Sequence, residues 1–213
     1  MSTIKIRGII IKESPVGESD KYLTIFTKDR GKLIIRARGA KNSKSKYLTA
    51  QLFAYCDFVI YSGKNFYSLT QIELLESFYN LRLNYDSLMI AYNIISMVDN
   101  YFTGSIDNEE SSDILLLILK SLKRLTKKGI DQNLIQSVFT IKFLQIVGLA
   151  PTLDYQYVYG LDQPIKINTD IFLTLNYILN SDVHNVYSFY TSSKVQKALE
   201  NLCKLFLPKL ELI

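Results

Sequence analysis

The stretch Gly31-Lys32-Leu33-Ile34-Ile35-Arg36-Ala37-Arg38 sets Leu33, Ile35 and Ala37 on one parity against Lys32, Ile34, Arg36 and Arg38 on the other. A period of two is the mark of a half-buried strand, apolar toward a core and charged toward water. The same alternation runs through Ile4 and Ile6 against Lys5 and Arg7. Extended outward, it predicts five strands, at about 3–12, 21–28, 32–39, 51–62 and 66–75. Gly17-Glu18-Ser19-Asp20, Asp29-Arg30-Gly31, the polar stretch Lys41 to Lys46 and Ser62-Gly63-Lys64-Asn65 separate them. Five short strands suit a small closed barrel, because closure removes the edges so narrow a sheet would expose.

From about residue 80 the period changes. No proline lies between Pro15 and Pro151, and Leu88, Ala91, Tyr92, Ile95, Val98 and Phe102 recur at three and four, as on one face of a helix that starts at Asp86 or Ser87. Further helices are predicted at about 112–128, 131–147, 169–181 and 193–206, with Asp131, Thr169 and Ser192 or Ser193 at their starts. Ile114 to Leu119 is apolar all round, which makes the second helix the expected centre of this part. The architecture read from the residues is α+β, a barrel followed by an all-α domain.

Charge follows the same division. Residues 1 to 80 hold thirteen Lys and Arg against seven Asp and Glu, and the remainder holds twelve against thirteen, so the net +5 belongs to the barrel. The longest apolar run, Ile114 to Leu119, is six residues, far below the ~20 of a membrane span. Ile9 to Ile11 is too short for the ~7–15 residue core of a secretory signal. The expected location is the cytoplasm, with no membrane contact. Cys56 and Cys203, the only cysteines, lie in apolar surroundings and are expected buried and reduced.

Little in the chain points to catalysis. His184 is the only histidine and sits in the polar connection Asn180 to Asn185. Neither a GxxxxGK[ST] loop nor a helix-opening GxGxxG occurs. Asp107, Glu109, Glu110 and Asp113 read as the acidic approach to a helix. A non-enzyme is expected.

The positive signal is the run from Lys28 to Lys46, which contains Lys28, Arg30, Lys32, Arg36, Arg38, Lys41, Lys44 and Lys46 against the single acid Asp29. A basic strand face feeding a basic loop fits a polyphosphate backbone. Phe53, Tyr55 and Tyr61 share one parity of the fourth strand and Tyr67 lies on the fifth, as stacking groups for single-stranded bases. The competing reading is a solvated cationic face with tyrosines packed inward. RNA is a third ligand that composition leaves open. A second basic patch, Lys120 to Lys128, fits a helix C-terminus stabilised by charge.

Gly17-Glu18-Ser19-Asp20-Lys21-Tyr22-Leu23-Thr24-Ile25-Phe26-Thr27, then Gly31-Lys32-Leu33, then Ala37-Arg38-Gly39-Ala40-Lys41-Asn42-Ser43-Lys44-Ser45 resemble the bacterial RecO family of recombination and repair proteins. Leu69 to Glu76 and Phe143 to Asp154 are similar to later parts of that family. The resemblance implies an oligonucleotide-binding (OB) barrel over residues 1–79 and a helical domain over 80–213. It also implies a nucleoid-associated mediator that binds single- and double-stranded DNA, anneals complementary strands and, with RecR, helps RecA displace single-stranded-DNA-binding protein. The family's helical domain also contacts the C-terminal tail of single-stranded-DNA-binding protein; Arg124, Lys127 and Lys128 have suitable chemistry for that acidic tail. An adaptor whose basic face docks acidic protein tails, with DNA contact incidental, is the alternative.

One departure stands out. Many family members carry a four-cysteine zinc site whose first pair follows Leu-Asp, whereas here Leu153-Asp154 leads into Tyr155-Gln156-Tyr157-Val158-Tyr159-Gly160. Gln156 and Tyr159 take the two cysteine places, so the region around 151–165 is expected to be a metal-free loop packed by its three tyrosines, with no cofactor elsewhere.

Overall fold

A computed structural model describes residues 2–42, 49–64, 66–102, 108–127, 129, 131–160 and 163–210. The first alternation becomes β1 (Ser2–Val16), followed by β2 (Asp20–Thr27), β3 (Gly31–Ala37), β4 (Tyr55–Ser62) and β5 (Tyr67–Glu76). They close in the order β1-β2-β3-β5-β4, the five-stranded barrel of an OB fold.

Closure depends on β1 changing partners. Ser2 to Ile9 pair with β4, and Gly8 to Val16 pair with β2, so Gly8 and Ile9 serve both neighbours. The strand is bulged between Ile10 and Lys12, the usual means of bending one strand around a corner. A Cβ on Gly8 would lie 2.5 Å from the Phe26 carbonyl oxygen, so the corner admits only glycine without backbone movement. The seam is closed by a short parallel contact, Ile35 with Tyr67 and Arg36 with Ser68. Inside lie Ile6, Ile10, Leu23, Ile25, Ile35, Ala37, Phe58 and Ile60, the inward parity expected from the sequence.

The fourth strand starts at Tyr55, four residues later than its alternation predicts. Leu52 donates to Glu13, Phe53 to the Ile10 carbonyl and Ala54 to that of Gln51, which closes a turn there. Phe53 takes a positive φ of 69° and is buried.

The helical elements are α1 (Tyr85–Tyr101), α2 (Asn108–Leu125), α3 (Gln132–Ile146), α4 (Thr169–Asn180) and α5 (Ser193–Phe206). Asp131, Asn168 and Ser192 cap the last three, each accepting from the third helical residue's amide. The cap of α4 is thus Asn168, one residue before the predicted Thr169. The most enclosed helix is α3, with Ile135, Val138, Phe139, Ile141, Phe143 and Leu144 buried, whereas Leu116 and Leu119 of α2 stay partly open. Residues read as a loop around 151–165 form a three-stranded sheet, β6 (Thr152–Asp154), β7 (Tyr157–Tyr159) and β8 (Ile165–Lys166), whose buried anchor is Val158.

The chain divides into two compact units, Met1–Tyr79 with Val98–Leu115, and Asn80–Met97 with Leu116–Ile213. The barrel's unit takes in a stretch that a linear boundary at residue 79 would leave out. Phe102 packs on Phe26 at 5.7 Å between ring centroids, and Asp99 pairs with Lys12 and Lys32, which holds this stretch to β1, β2 and β3.

Gly8→Ala is expected to lower the urea midpoint by the equivalent of about 1–3 kcal/mol, the usual cost of overpacking. An unchanged midpoint would show that the β1 corner has slack.

Candidate nucleic-acid interface

The outward parity of β2 and β3 forms one track, open at Tyr22 and Ile34 and closed at Thr24 and Phe26, which are buried. Cross-strand partners bring together Phe26 with Lys32, Thr24 with Ile34, and Tyr22 with Arg36. Arg38 continues the row just beyond β3. From Lys32 to Arg38 the track extends about 20 Å at the ordinary rise of a strand. Tyr22 and Ile34 are both exposed on it, 39% and 57%.

The predicted cations on this side fall into two groups. Lys28 and Arg30 project from the β2–β3 turn, which Thr27 fixes by donating to the Gly31 carbonyl (2.9 Å) and accepting from the Arg30 amide (3.2 Å). Lys28, Arg30 and Arg38 are exposed, and their side chains have no ion pair among the described residues. Lys32, Arg36 and Lys41 are tied. Lys32 Nζ lies 2.5 Å from the Asp99 carboxylate and donates to the Asp99 carbonyl at 2.7 Å. Arg36 grips Asp20 at 2.9 and 2.7 Å, and Lys41 Nζ donates to the Gly17 carbonyl at 2.6 Å. Lys44 and Lys46 lie outside the described residues.

Asp20 organises the start of the basic loop, accepting from the Gly39 amide at 2.8 Å as well as from Arg36. These bonds, the Gly39 amide first, hold its carboxyl below the usual carboxylate range. At Gly39 a positive φ of 68° turns the chain away from the sheet.

The tyrosines picked out from the sequence stand elsewhere. β4 carries Tyr55 and Tyr61, and β5 separates β4 from β3 in the barrel order. Both are half-buried, and Tyr61 lies against Phe66 with centroids 6.4 Å apart. Phe53 is buried, and Tyr67 packs against the core. The aromatic ring next to the arginines is Tyr22, which sequence reasoning missed although the alternation of β2 places it on the outward parity.

Outside β1, β4 and β5, a groove of about 870 Å³ is lined by Lys5, Arg7 and Lys28 but also by Asp29, Asp57 and Glu73. Arg7 is engaged by Asp57 in a two-pronged pair at 2.6 and 2.8 Å. Equal numbers of cations and anions make this groove a poorer match for a phosphate chain than the β2–β3 track.

In the helical part, Arg124 donates to the Tyr187 carbonyl at 3.3 Å and Lys120 to that of His184 at 2.9 Å, so both fasten the 183–188 segment. Lys127 is exposed, and Lys128 lies outside the described residues. Cys56 and Cys203 are buried free thiols whose pKa burial pushes up to about 12, which removes them as nucleophiles near neutrality.

A four-thiolate zinc site does not fit the residues present. Gln156 occupies the β6–β7 turn and Tyr159 an exposed position on β7, and neither supplies a thiolate. Among the described residues no three His, Cys, Asp or Glu side chains are grouped as a metal requires. Of the three tyrosines expected to fill in for metal, Tyr155 lies against Phe172 of α4 with ring centroids 5.1 Å apart and the planes tilted by 46°, whereas Tyr157 and Tyr159 lie beside each other on the outward parity of β7. No helix among the described residues is long and apolar enough to cross a membrane.

Comparison with known proteins places this geometry. The family model "Recombination protein O N terminal" matches residues 1–78. The DNA repair protein RecO of Acetivibrio thermocellus is 31% identical over 220 residues, covering 92% of this chain and 86% of that protein. That of Alkaliphilus metalliredigens is 27% identical, covering 96% and 92%, and that of Caldicellulosiruptor saccharolyticus is 34% identical, covering 71% and 61%.

Because the Asp20 carboxyl sits lower in the native state than in the unfolded chain, its contribution is present above about pH 4 and fades as pH falls through the lower native value. Asp20→Asn should therefore destabilise the protein at pH 6 and flatten the loss of thermal stability between pH 5 and 3. A melting profile still parallel to wild type across that window would show that Asp20 does not anchor the loop.

Proposed function

Since the chain belongs to the RecO family of DNA repair proteins, we propose that it binds single- and double-stranded DNA through the β2–β3 track and its flanking turns, and anneals complementary strands. The observation that carries the reading is that Lys28 and Arg30 on the β2–β3 turn and Arg38 just past β3 are exposed with no ion pair among the described residues, Arg38 at the end of the track that carries exposed Tyr22 and Ile34. Cations on turns grip phosphates without addressing bases, so the held strand keeps its pairing edges free. Annealing needs that arrangement. Lys44 and Lys46 extend the same basic loop in sequence.

In this reading residues 1–79 are the DNA-binding domain and 80–213 a helical domain that meets the acidic tail of single-stranded-DNA-binding protein, with Lys127 among its exposed cations. The protein works in the cytoplasm on nucleoid DNA, with RecR, to help load RecA onto DNA covered by single-stranded-DNA-binding protein. It breaks no covalent bond and uses no metal or cofactor. Stoichiometric zinc in the purified protein by elemental analysis would overturn that last part.

Fluorescence anisotropy of labelled mixed-sequence oligonucleotides across a salt series tests the interface. Arg38→Glu with Lys28→Glu should weaken binding alike on every sequence and lower the log–log salt slope by about 1 per lost phosphate contact. Tyr22→Ala should weaken single strands by about 1–3 kcal/mol, a stacking contribution, and duplexes far less. Binding that ignored all three changes, or that required an acidic peptide instead of DNA, would overturn the reading.

A further inference from the structure

The track ends at Lys32, which shares a carboxylate with the more open Lys12 of β1. Phe26 and Lys32 are cross-strand partners, and the last turn of α1 with the residue that follows it lies over both, Phe102 on the ring and Asp99 on the ammonium. Asp99 also takes Lys12 of β1 at 3.2 Å. One carboxylate from a helix end thus pairs with two lysines of the barrel and leaves the cluster one positive charge in surplus. The contact is graded in exposure: the Asp99 side chain is 11% exposed, Lys32 18% and Lys12 57%. Burial pushes the Asp99 carboxyl up, but the bonds from Lys32 and Lys12 outweigh it and keep the group below the usual range, so it is ionised near neutrality.

A carboxylate held by two ammonium groups resembles a phosphate oxygen pair in charge and hydrogen-bonding demand. We infer that Lys12 and Lys32 form a phosphate site at the end of the β2–β3 track that Asp99 occupies in the free protein, so that a DNA phosphate enters by displacing the Asp99 side chain. The inference rests on the proposed DNA-binding role of that track. In the wild-type protein the exchange trades one anionic partner for another and adds little net affinity. Without the carboxylate the two lysines contribute in full. Asp99 therefore shortens the occupied track and keeps the binding of short single strands weak enough to reverse, which a protein that releases annealed product requires.

The test is a double-mutant cycle on the full chain, read by anisotropy of a labelled single strand over a salt series. Asp99→Asn is expected to bind about fivefold or more tightly at low salt, the size of a modest coupling between sites. Its salt slope should steepen by about 0.7 for each phosphate gained on a single strand. Lys12→Gln with Lys32→Gln should change affinity less than about twofold in the wild-type background yet erase the gain when combined with Asp99→Asn. Glu18→Gln, which removes an exposed acid on the β1–β2 turn, controls for net charge.

A gain no larger than that of Glu18→Gln, or one that survives loss of both lysines, would overturn the inference. Where Asp99→Asn fails to give a cooperative melt, Asp99→Ser takes its place, with the same gain and the same dependence on both lysines expected. A loss as large as that of Arg38→Gln in the lysine variant alone would mean that the lysines already face DNA and would also overturn the inference. Absence of DNA binding by the wild-type protein at every salt concentration would instead remove the functional reading on which the inference stands.

Discussion

β1 pairs with β4 through its first half and with β2 through its second, and the handover at Gly8 and Ile9 is the constraint on which the barrel depends. A strand that serves two neighbours must bend sharply, and the Phe26 carbonyl lies where a side chain at Gly8 would go. Once the bend is made, the sheet has no free edge and every strand presents one sealed and one open parity. The sealed parity is filled by isoleucine, leucine, phenylalanine and alanine. What remains for function is the outward parity and the turns.

Electrostatics then sorts the outward positions. A barrel this small cannot bury a cation without a partner, so each lysine or arginine stands in water or meets an oxygen. Those within reach of β-strand neighbours or of the α1 end meet oxygens: Lys21 with Glu13, Arg36 with Asp20, and Lys12 and Lys32 with Asp99. Lys28, Arg30 and Arg38, carried on turns or just past a strand end, have no ion pair among the described residues. The number of cations free to meet a ligand is therefore smaller than the number of lysines and arginines in the sequence.

The barrel was legible because a period of two survives in any sheet with one apolar face. All five strands and the inward parity of Leu33, Ile35 and Ala37 follow from alternation alone. The outcome at Phe53 did not, since a turn closed by hydrogen bonds to Glu13 and Ile10 overrides its parity. The site was half legible. Alternation marks which cations point outward, but their carboxylate partners lie sixteen and sixty-seven residues away for Arg36 and Lys32, and no local pattern announces a long-range pair. Tyr55 and Tyr61 were linked to the basic stripe by composition, whereas barrel order interposes β5 and gives the place to Tyr22.

The helical part uses its cations differently. Lys142 is buried, and its ammonium donates to the carbonyls of Leu179 at 3.0 Å and Ser181 at 2.6 Å, at the C-terminal end of α4 where carbonyls lack helical partners. Lys120 and Arg124 spend their donors on the carbonyls of His184 and Tyr187. Tyr187 completes that corner, its hydroxyl 2.6 Å from Ser121 Oγ. These bonds fix the end of α4 and the segment that follows it to α2 and α3. On the other side of α4, buried Val158 seats the segment that begins at β6, together with Tyr155, whose ring centroid lies 5.1 Å from that of Phe172. Among the described residues the segment before α4 is thus joined to the helices by apolar and aromatic contacts, and the segment after it by cations on carbonyls.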